Sequence, residues 1–251
     1  MSRLIATLGG RTNALGAQGV CVAYDVAYNT SRVAGVLQSI SDASGYAGFG
    51  ATLRVSGTST IGYDETHQLL TFTAANQTVL QGPLDGQLAL GASGAANNNW
   101  WMAWVGTCQT TNYFALVTNA NVTRYLGLGI NSSGNVFSMT GDQGQTTWAN
   151  TLVTTSATRR CVIGSVIANT SLTCEVRAQS PVTHAVTEPV TSEPYQLWLG
   201  GYPGSLMPAW MTGDMRTFLM GKGTLTTGQR QAIETYATTT DGVHNNASTN
   251  A

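Results

Sequence analysis

Strand-length runs separated by turn residues recur along most of this chain, and that spacing restricts its fold more than any other feature. Regularly spaced strands with turn signals between them are typical of an all-β sandwich or barrel. The segments Asn131-Ser132-Ser133-Gly134 and Asn169-Thr170 predict hairpin turns between consecutive strands. The predicted strands cover residues 69–72, 78–80, 100–105, 113–117, 124–130, 135–139, 161–167, 172–177, 195–199 and 215–220.

One segment near the C-terminus favours a helix. Thr226 is a good N-cap residue, and Gln229 three positions later completes a capping box. An apolar stripe at helical spacing follows, and it predicts that the helix docks on the sandwich. The stripe consists of Ala232, Ile233, Tyr236 and Ala237.

The domain is predicted to span residues 20–240 as a single unit, because no change of composition and no proline-rich linker divides it. Residues 1–19 are predicted to form a flexible N-terminal arm, since Gly9-Gly10 and Gly16 interrupt regular structure. Such an arm would order only on assembly, by threading into a neighbouring subunit. Residues 241–251 are predicted to be a polar, frayed tail.

The low charge of the chain excludes some classes of function. Only 9% of the 251 residues are charged, and the formal net charge is −1 with no basic cluster. Nucleic-acid binding depends on several lysines or arginines that neutralise phosphates, so that class is disfavoured. No run approaches 18 apolar residues and no signal-peptide core is visible at the N-terminus, so neither a membrane span nor a signal peptide is expected.

The four cysteines Cys21, Cys108, Cys161 and Cys174 lack the spacing of a zinc site or a redox motif. A hairpin centred on Asn169-Thr170 would place Cys174 opposite Ser165, with Cys161 four residues further along the strand. Four residues correspond to about 13 Å at strand rise, and a disulfide needs Cα atoms within about 7 Å. All four are therefore expected to be reduced and mostly buried.

The order of several short motifs carries a family resemblance. Tyr24-Asp25 and the turn Asp42-Ala43-Ser44-Gly45 come first, and the run WWMAWV at 100–105 follows. The chain closes with a strand that opens at Gly213 and with Leu225-Thr226 before the helix. This order resembles the concanavalin A-like lectin/laminin-G-like domains of tailed-phage and bacterial surface proteins. The resemblance implies a jelly-roll β-sandwich of two antiparallel sheets with a short C-terminal helix. One departure is Ile40, at a position where the family often has tryptophan.

No catalytic constellation is visible in the sequence. The glucanase branch of this fold carries two glutamates that bracket an aspartate as E-x-D-x-E, because two carboxyl groups must flank the glycosidic bond. None of the five glutamates of this chain lies four residues from another. The densest titratable group is Asp64-Glu65 with His67, and a solvated turn explains it best. We therefore expect that the protein is not an enzyme.

The candidate ligand-binding residues are aromatic. Trp100 and Trp104 lie on one face of their strand and Trp101 on the other, and one of these faces must form the core. Tyr202 and Trp210 border a Gly/Pro-rich loop, where an exposed ring is expected more readily. The resemblance adds calcium as a candidate cofactor. Asp142 and Asp214 are its best-placed candidate ligands, and both are also read as simple turn residues.

The leading functional hypothesis comes from the resemblance. It is a non-catalytic structural protein of a tailed-phage virion that decorates the capsid or forms part of the tail or a fibre. The expected partners are other virion proteins and further copies of this chain, with a trimer as the state that the resemblance suggests. The expected location is the virion, assembled in the host cytoplasm. The alternative is a lectin-like adhesion module that binds host-surface glycans.

Overall fold

The computed structural model describes two antiparallel β-sheets and one short helix. The description covers residues 20–26, 30–42, 52–57, 59–82, 99–109, 113–119, 124–142, 145–154, 160–177, 179–186, 195–204 and 209–239. The predicted arm 1–19 and tail 241–251 lie outside these residues. None of the helices in these segments has the length and apolar character that a membrane crossing requires.

The first sheet has eight strands. Seven of them follow the order β15-β14-β13-β8-β19-β6-β5, and the eighth, β1, pairs with β19. Its strands are β1 (Val20–Asp25), β5 (Gly62–Asp64), β6 (Leu69–Phe72), β8 (Trp100–Gly106), β13 (Arg160–Ile167), β14 (Ser171–Val176), β15 (Val182–Ala185) and β19 (Gly213–Lys222).

The second sheet has nine strands in the order β12-β11-β10-β9-β16-β7-β4-β3-β2. Its strands are β2 (Thr30–Val33), β3 (Val36–Ile40), β4 (Leu53–Gly57), β7 (Thr78–Gln81), β9 (Tyr113–Asn119), β10 (Arg124–Ile130), β11 (Asn135–Asp142), β12 (Gln145–Thr154) and β16 (Tyr195–Leu199). A separate ribbon pairs β17 (Gly201–Tyr202) with β18 (Ala209–Trp210). A 3-10 helix, Ala74–Asn76, connects β6 and β7.

The main core lies between the two sheets. Successive side chains of a strand point to opposite faces, and the inward set of each sheet joins one continuous apolar cluster. Trp100, Met102 and Trp104 enter this cluster from β8, while Phe114 and Val117 enter it from β9 on the facing sheet. The all-β, jelly-roll sandwich architecture expected from the sequence is confirmed.

Helix α1 (Thr227–Thr239) covers the outer face of the eight-stranded sheet. Its predicted capping box is confirmed, because the Gln229 backbone N–H donates to Thr226 Oγ1 at 3.2 Å and the Thr226 N–H donates to Gln229 Oε1 at 2.8 Å. Ile233 and Ala232 pack against Trp101 and its neighbours on that face, as the stripe predicted. Side chains from position 236 onward are not described.

The predicted register of one hairpin is wrong by one residue. In the structure Cys174 lies opposite Gly164, whereas Ser165 lies opposite Thr173. The reason is a longer loop: Ile167 pairs with Ser171, so three residues connect the strands, and Asn169 adopts a positive φ of 54°. Cys161 and Cys174 consequently occupy opposite faces of the sheet, one under the helix and one in the main core.

Cys108, Cys161 and Cys174 are buried and are present as thiols, not as disulfides. Desolvation by burial raises the pKa of Cys161 and of Cys174 to about 12. At pH 8 such a thiol is only about one part in ten thousand thiolate, the form that reacts.

We predict that these three cysteines resist labelling in the native protein. In a Cys21→Ala background, a thiol reagent such as DTNB at pH 8 is expected to react only after guanidinium unfolds the chain. Burial favours the neutral thiol over the thiolate. The contribution of these thiols to the free energy of unfolding is therefore complete below their ordinary pKa of 9.0. It is lost as the pH rises from there towards about 12. Rapid labelling without denaturant would contradict the burial of these residues.

We predict that Thr226→Ala lowers the free energy of unfolding by about 1 kcal/mol, because it removes the side-chain oxygen that accepts from the Gln229 N–H. Urea unfolding measures the change. Gln231→Ala, an exposed position of the same helix, is the matched control and is expected to have little effect. Equal changes in both variants would show that the cap does not stabilise α1.

Candidate functional site

The outer face of the nine-stranded sheet carries a cluster of aromatic rings, which we call the aromatic face. Its members are separated from the main core by the sheet itself, and a smaller apolar cluster joins most of them. They come from β9 to β12, from β16 and from the ribbon. The aromatic face consists of Tyr113, Tyr125, Phe137, Trp148, Trp198, Tyr202 and Trp210.

The strand register arranges this face in rows across the strands. One row runs across five strands, from β12 to β16, through register partners. In order, its residues are Trp148, Met139, Gly127, Leu116 and Trp198. The glycine is needed in the middle of the row. A Cβ at Gly127 would lie 3.0 Å from the Met139 Cε atom and 3.1 Å from the Leu116 Cδ1 atom, closer than ordinary contact.

A neighbouring row brings three rings into contact. Phe137 and Tyr113 both pair with Gly129, and the missing side chain there lets their rings approach to 6.0 Å in an edge-to-face geometry. Phe137 also meets Trp148, with ring centroids 4.6 Å apart and planes at 71°. Edge-to-face contacts of this kind stabilise aromatic pairs by about 0.5–1.5 kcal/mol beyond their buried area. The Trp148 ring is thereby held in place by a packed neighbour.

Trp148 is the exposed ring of the aromatic face. Its relative exposure is 36%, whereas Phe137, Tyr125, Trp198 and Tyr202 are buried. It stands on β12, the edge strand of the sheet. A large apolar side chain kept at the surface and supported from one side provides a flat area for a ligand.

Polar side chains flank Trp148 along its own strand. Thr146 and Asn150 lie two residues away on either side, so alternation places them on the same face, each about 7 Å along the strand. Asn150 is exposed and Thr146 is half-buried. A ring bound on Trp148 would therefore have a polar group beyond each end.

The orientation of the Asn150 amide follows from its neighbour. Asn131 Oδ1 accepts hydrogen bonds from the backbone N–H groups of Ser133 at 2.9 Å and Asn135 at 3.0 Å. That fixes Asn131 Nδ2 as the donor to Asn150 Oδ1, at 3.1 Å. Asn150 Nδ2 has no partner among the described residues, so it is a donor for an external acceptor.

Thr146 is fixed from the other side. Its hydroxyl is hydrogen-bonded to the phenol of Tyr125, whose ring lies over Gly141, where a Cβ would stand 2.3 Å from the ring. Both polar neighbours of Trp148 are thus oriented before any ligand arrives, which reduces the entropy cost of binding.

Tyr202 and Trp210, two of the predicted ligand-binding residues, lie on the ribbon over the aromatic face. The Tyr202 ring meets Trp198 edge to face with centroids 5.4 Å apart, and its exposure is only 7%. Burial also raises the pKa of Tyr202. Trp210 is half-buried and packs against the same cluster. Both side chains chiefly hold the ribbon on the sheet.

Trp100 and Trp104, the other predicted aromatic ligand residues, lie between the sheets. Their exposures are 0% and 1%, and Trp104 packs against Phe114 with centroids 5.1 Å apart. Core side chains surround both rings, so neither offers a face to a ligand. The correction has a simple physical cause: both faces of β8 are covered, one by the opposite sheet and the other by α1.

One of the two candidate calcium ligands, Asp214, forms structural hydrogen bonds. The Asp214 carboxylate accepts a hydrogen bond from the Thr107 backbone N–H at 3.2 Å, while its own N–H donates to Thr107 Oγ1 at 2.9 Å. These bonds join β19 to the end of β8. Asp142 ends β11, and its side chain is not described. Within the described segments, no three His, Cys, Asp or Glu residues form a group that could hold a metal ion.

The titratable cluster in the turn after β5 forms surface pairs. His67 donates its backbone N–H to the Asp64 carboxylate and its ring approaches the same group, and these bonds lower the pKa of Asp64. Arg32 pairs with Glu65 and lies over the Tyr63 ring, 4.2 Å from its centroid. These contacts link the two sheets at the β2 edge and pair each of the two carboxylates with a basic side chain.

Trp148 was missed in the sequence, although a signal was present. The segment Thr146-Thr147-Trp148-Ala149-Asn150 places a tryptophan between two polar residues on one strand face. A tryptophan in an otherwise polar face is more informative about binding than one inside an apolar run, because the apolar run is needed for the core.

Comparison with known proteins identifies the fold. No family model matches the chain, and no curated protein matches it. Among solved structures, domain 4 of AbnA, a GH43 extracellular arabinanase from Geobacillus stearothermophilus, in complex with arabinotriose, superposes with a TM-score of 0.60. It is 17% identical over 86% of this chain and 97% of that chain.

Botulinum neurotoxin DC provides two further matches. Its binding domain in complex with rat synaptotagmin II has a TM-score of 0.59 at 11% identity over 86% of this chain, and in complex with SialylT a TM-score of 0.60 at 10% identity over 87%. The present chain spans 51% of each of those toxin chains. Identities this low show a shared fold, the concanavalin A-like jelly roll.

We predict that Gly200→Ala disrupts the attachment of the ribbon. Gly200 has a φ of 86°, and a Cβ there would lie 2.2 Å from the Phe72 ring. Strain and overpacking together are expected to lower the free energy of unfolding by about 2–5 kcal/mol. Urea unfolding measures the loss.

Gly134→Ala is the matched control for this variant. Gly134 also has a positive φ, 80°, but a Cβ there meets nothing within 4 Å. Only the backbone strain remains, about 1–2 kcal/mol. Equal losses in the two variants would mean that Phe72 moves aside and that the ribbon does not depend on this contact.

Proposed function

We propose that this domain is a non-catalytic glycan-binding module, and that it binds through Trp148 on the outer face of the nine-stranded sheet. The observation that carries the proposal is the exposed Trp148 ring, supported by Phe137 and flanked by the oriented polar groups of Asn150 and Thr146.

The physical basis is the two-sided character of a sugar ring. One side presents C–H groups with slight positive charge, which are attracted to the negative face of an aromatic ring. The rim presents hydroxyl groups that both donate and accept hydrogen bonds. A tryptophan platform with an amide donor at one end and hydroxyls at the other matches both features.

The solved structures support the same class of ligand. The arabinanase domain was solved with arabinotriose, and a toxin binding domain was solved with SialylT. The shared fold therefore supports a glycan as the ligand class, while the choice of Trp148 rests on the geometry of this chain alone.

A non-catalytic role agrees with the acidic residues that the structure describes. Hydrolysis of a glycosidic bond by a retaining mechanism needs two carboxyl groups about 5 Å apart. Beside Trp148, the flanking groups are an amide and a hydroxyl. Among the described residues, neither group beside Trp148 is a carboxyl that could protonate or attack a glycosidic linkage.

The place of the protein in a tailed-phage virion stays a prediction from the resemblance, together with the homo-oligomer and the virion location. A capsid decoration, tail or fibre protein that binds host-surface glycans would combine both hypotheses formed from the sequence. The exposed platform favours the binding role as the one to test first.

We predict that Trp148→Ala weakens glycan binding about tenfold or more, because the aromatic platform is lost. A glycan array identifies the ligand, and titration calorimetry measures its affinity. Trp148→Phe is expected to recover part of the affinity, since a smaller ring remains.

Val33→Ala is the control, because Val33 is also a large apolar residue at the surface, 64% exposed, but lies on β2 at the opposite edge of the same sheet. It should bind as the unchanged protein does. Unfolding curves of all variants exclude a loss of fold. Unchanged affinity in Trp148→Ala would refute the proposed site.

A further inference from the structure

We infer that the Trp148 site takes a neutral glycan, one without sialic acid, sulfate or uronic acid at the bound position. The inference rests on the proposed function and specifies its ligand class. It is carried by the distribution of charge on the aromatic face and by the chemistry of the groups beside Trp148.

Over five adjacent strands, the described side chains of the outer face carry no charge. On β12, β11, β10, β9 and β16, the described side chains of this face are apolar, or are neutral hydrogen-bonding groups. The neutral polar groups include Thr146, Asn150, Tyr125, Tyr113, Thr118 and Gln196. The charged residues of these strands, Arg124 and Asp142, are register partners at the strand ends, and their formal charges are opposite.

Among the described residues, the charged side chain on the rest of this face is remote from Trp148. Arg54 on β4 is exposed and lies in the same row as Trp148, reached through Trp198 and Gln81. Six strand spacings separate the two residues in the sheet order, about 29 Å along the sheet. The Debye length at physiological ionic strength is about 8 Å. The Arg54 charge is therefore screened before it reaches a ligand on Trp148.

Several of the polar groups on this face are already engaged in fixed hydrogen bonds. Gln196 Nε2 donates to the Gly82 carbonyl at 2.6 Å, and Thr118 Oγ1 donates to the Asn119 carbonyl at 3.1 Å. Among the described residues, the donors left beside the platform are neutral: Asn150 Nδ2 at one end and, at the other, the hydroxyl hydrogen that the Thr146–Tyr125 bond does not use. An anionic group bound there would lose water without gaining a charge-assisted partner, which is unfavourable. A sugar hydroxyl exchanges one neutral hydrogen bond for another.

The predicted pose follows from the strand. A ring stacked on Trp148 has Asn150 beyond one end and the Thr146–Tyr125 hydroxyl pair beyond the other, along the direction of β12. Asn150 would donate to a ring hydroxyl. Asn131 is then a positioning residue, since it holds the Asn150 amide in the orientation that leaves Nδ2 outward.

The test is a binding survey of the full chain on pairs of oligosaccharides that differ only in sialylation or sulfation, at 50 and 500 mM NaCl. We expect binding to neutral members, with less than a twofold change of affinity between the two salt concentrations and at least a tenfold loss in Trp148→Ala.

Two other outcomes would contradict this. Binding that is restricted to charged members, depends on Trp148 and is weakened tenfold or more by salt would overturn the neutral ligand class and leave glycan binding intact. Absence of binding to both classes, or binding indifferent to Trp148→Ala, would overturn the proposed function and this inference with it.

Asn150→Asp tests the chemistry at the platform directly. The replacement is isosteric and keeps an oxygen for the bond from Asn131 Nδ2, but it replaces the outward donor by a carboxylate oxygen. We expect about a tenfold loss of affinity for the neutral glycan with an unchanged unfolding curve. Asn169→Asp adds the same charge in an exposed loop of the other sheet and should have no effect. Equal affinity of Asn150→Asp and the unchanged protein would overturn the role of this donor.

Discussion

Burial of β8 on both of its faces is the constraint on which the rest of this molecule depends. Trp100, Met102 and Trp104 enter the main core, while Trp101 and Ala103 lie under α1. A buried tryptophan removes about 150–250 Å² of surface from water, worth several kcal/mol at about 25 cal/mol per Å². Three such residues on one strand cannot leave either face open. The second sheet and the helix are the two covers that this strand requires.

The two outer faces of the sandwich consequently differ. The eight-stranded sheet has its outer face closed by a helix whose Ile233 is buried, and Arg230 adds an ion pair to Glu175 on β14. The nine-stranded sheet uses rings instead, packed side by side over Gly127 and Gly129 and partly covered by a two-stranded ribbon. Rings packed in this way leave an edge, and Trp148 stands at that edge.

Local chemistry predicted ten of the described strands and the helix, but not β12, which carries Trp148. The strand runs, the hairpin at Asn131–Gly134 and the capping box of Thr226 and Gln229 all depend on neighbours in sequence, and the structure contains them. The register of the β13–β14 hairpin was missed because Asn169 accommodates a positive φ and lengthens the loop by one residue. A register error of that size reverses the face of every side chain it concerns.

The candidate site was less predictable, because it depends on which face of each strand is covered. Alternation along β8 correctly separated Trp101 from Trp100 and Trp104. The sequence does not show, however, that α1 covers one face of this strand and the second sheet covers the other. Trp148, in contrast, stays exposed because its strand, β12, lies at the edge of the sheet, and within the described residues it pairs with β11 alone. The position of a strand in the sheet order depends on pairings between segments far apart in the chain, which local sequence does not specify.

The described chain begins and ends at the same sheet of the sandwich. Its first described strand, β1, pairs with β19 in the eight-stranded sheet, and its last described element, α1, lies against the outer face of that same sheet. The described part of the chain thus begins and ends in one half of the sandwich, and the aromatic face belongs to the other half. An attachment made close to Val20 or to the end of α1, whether to a surface, a bead or a larger assembly, would leave Trp148 on the opposite half, accessible to a ligand.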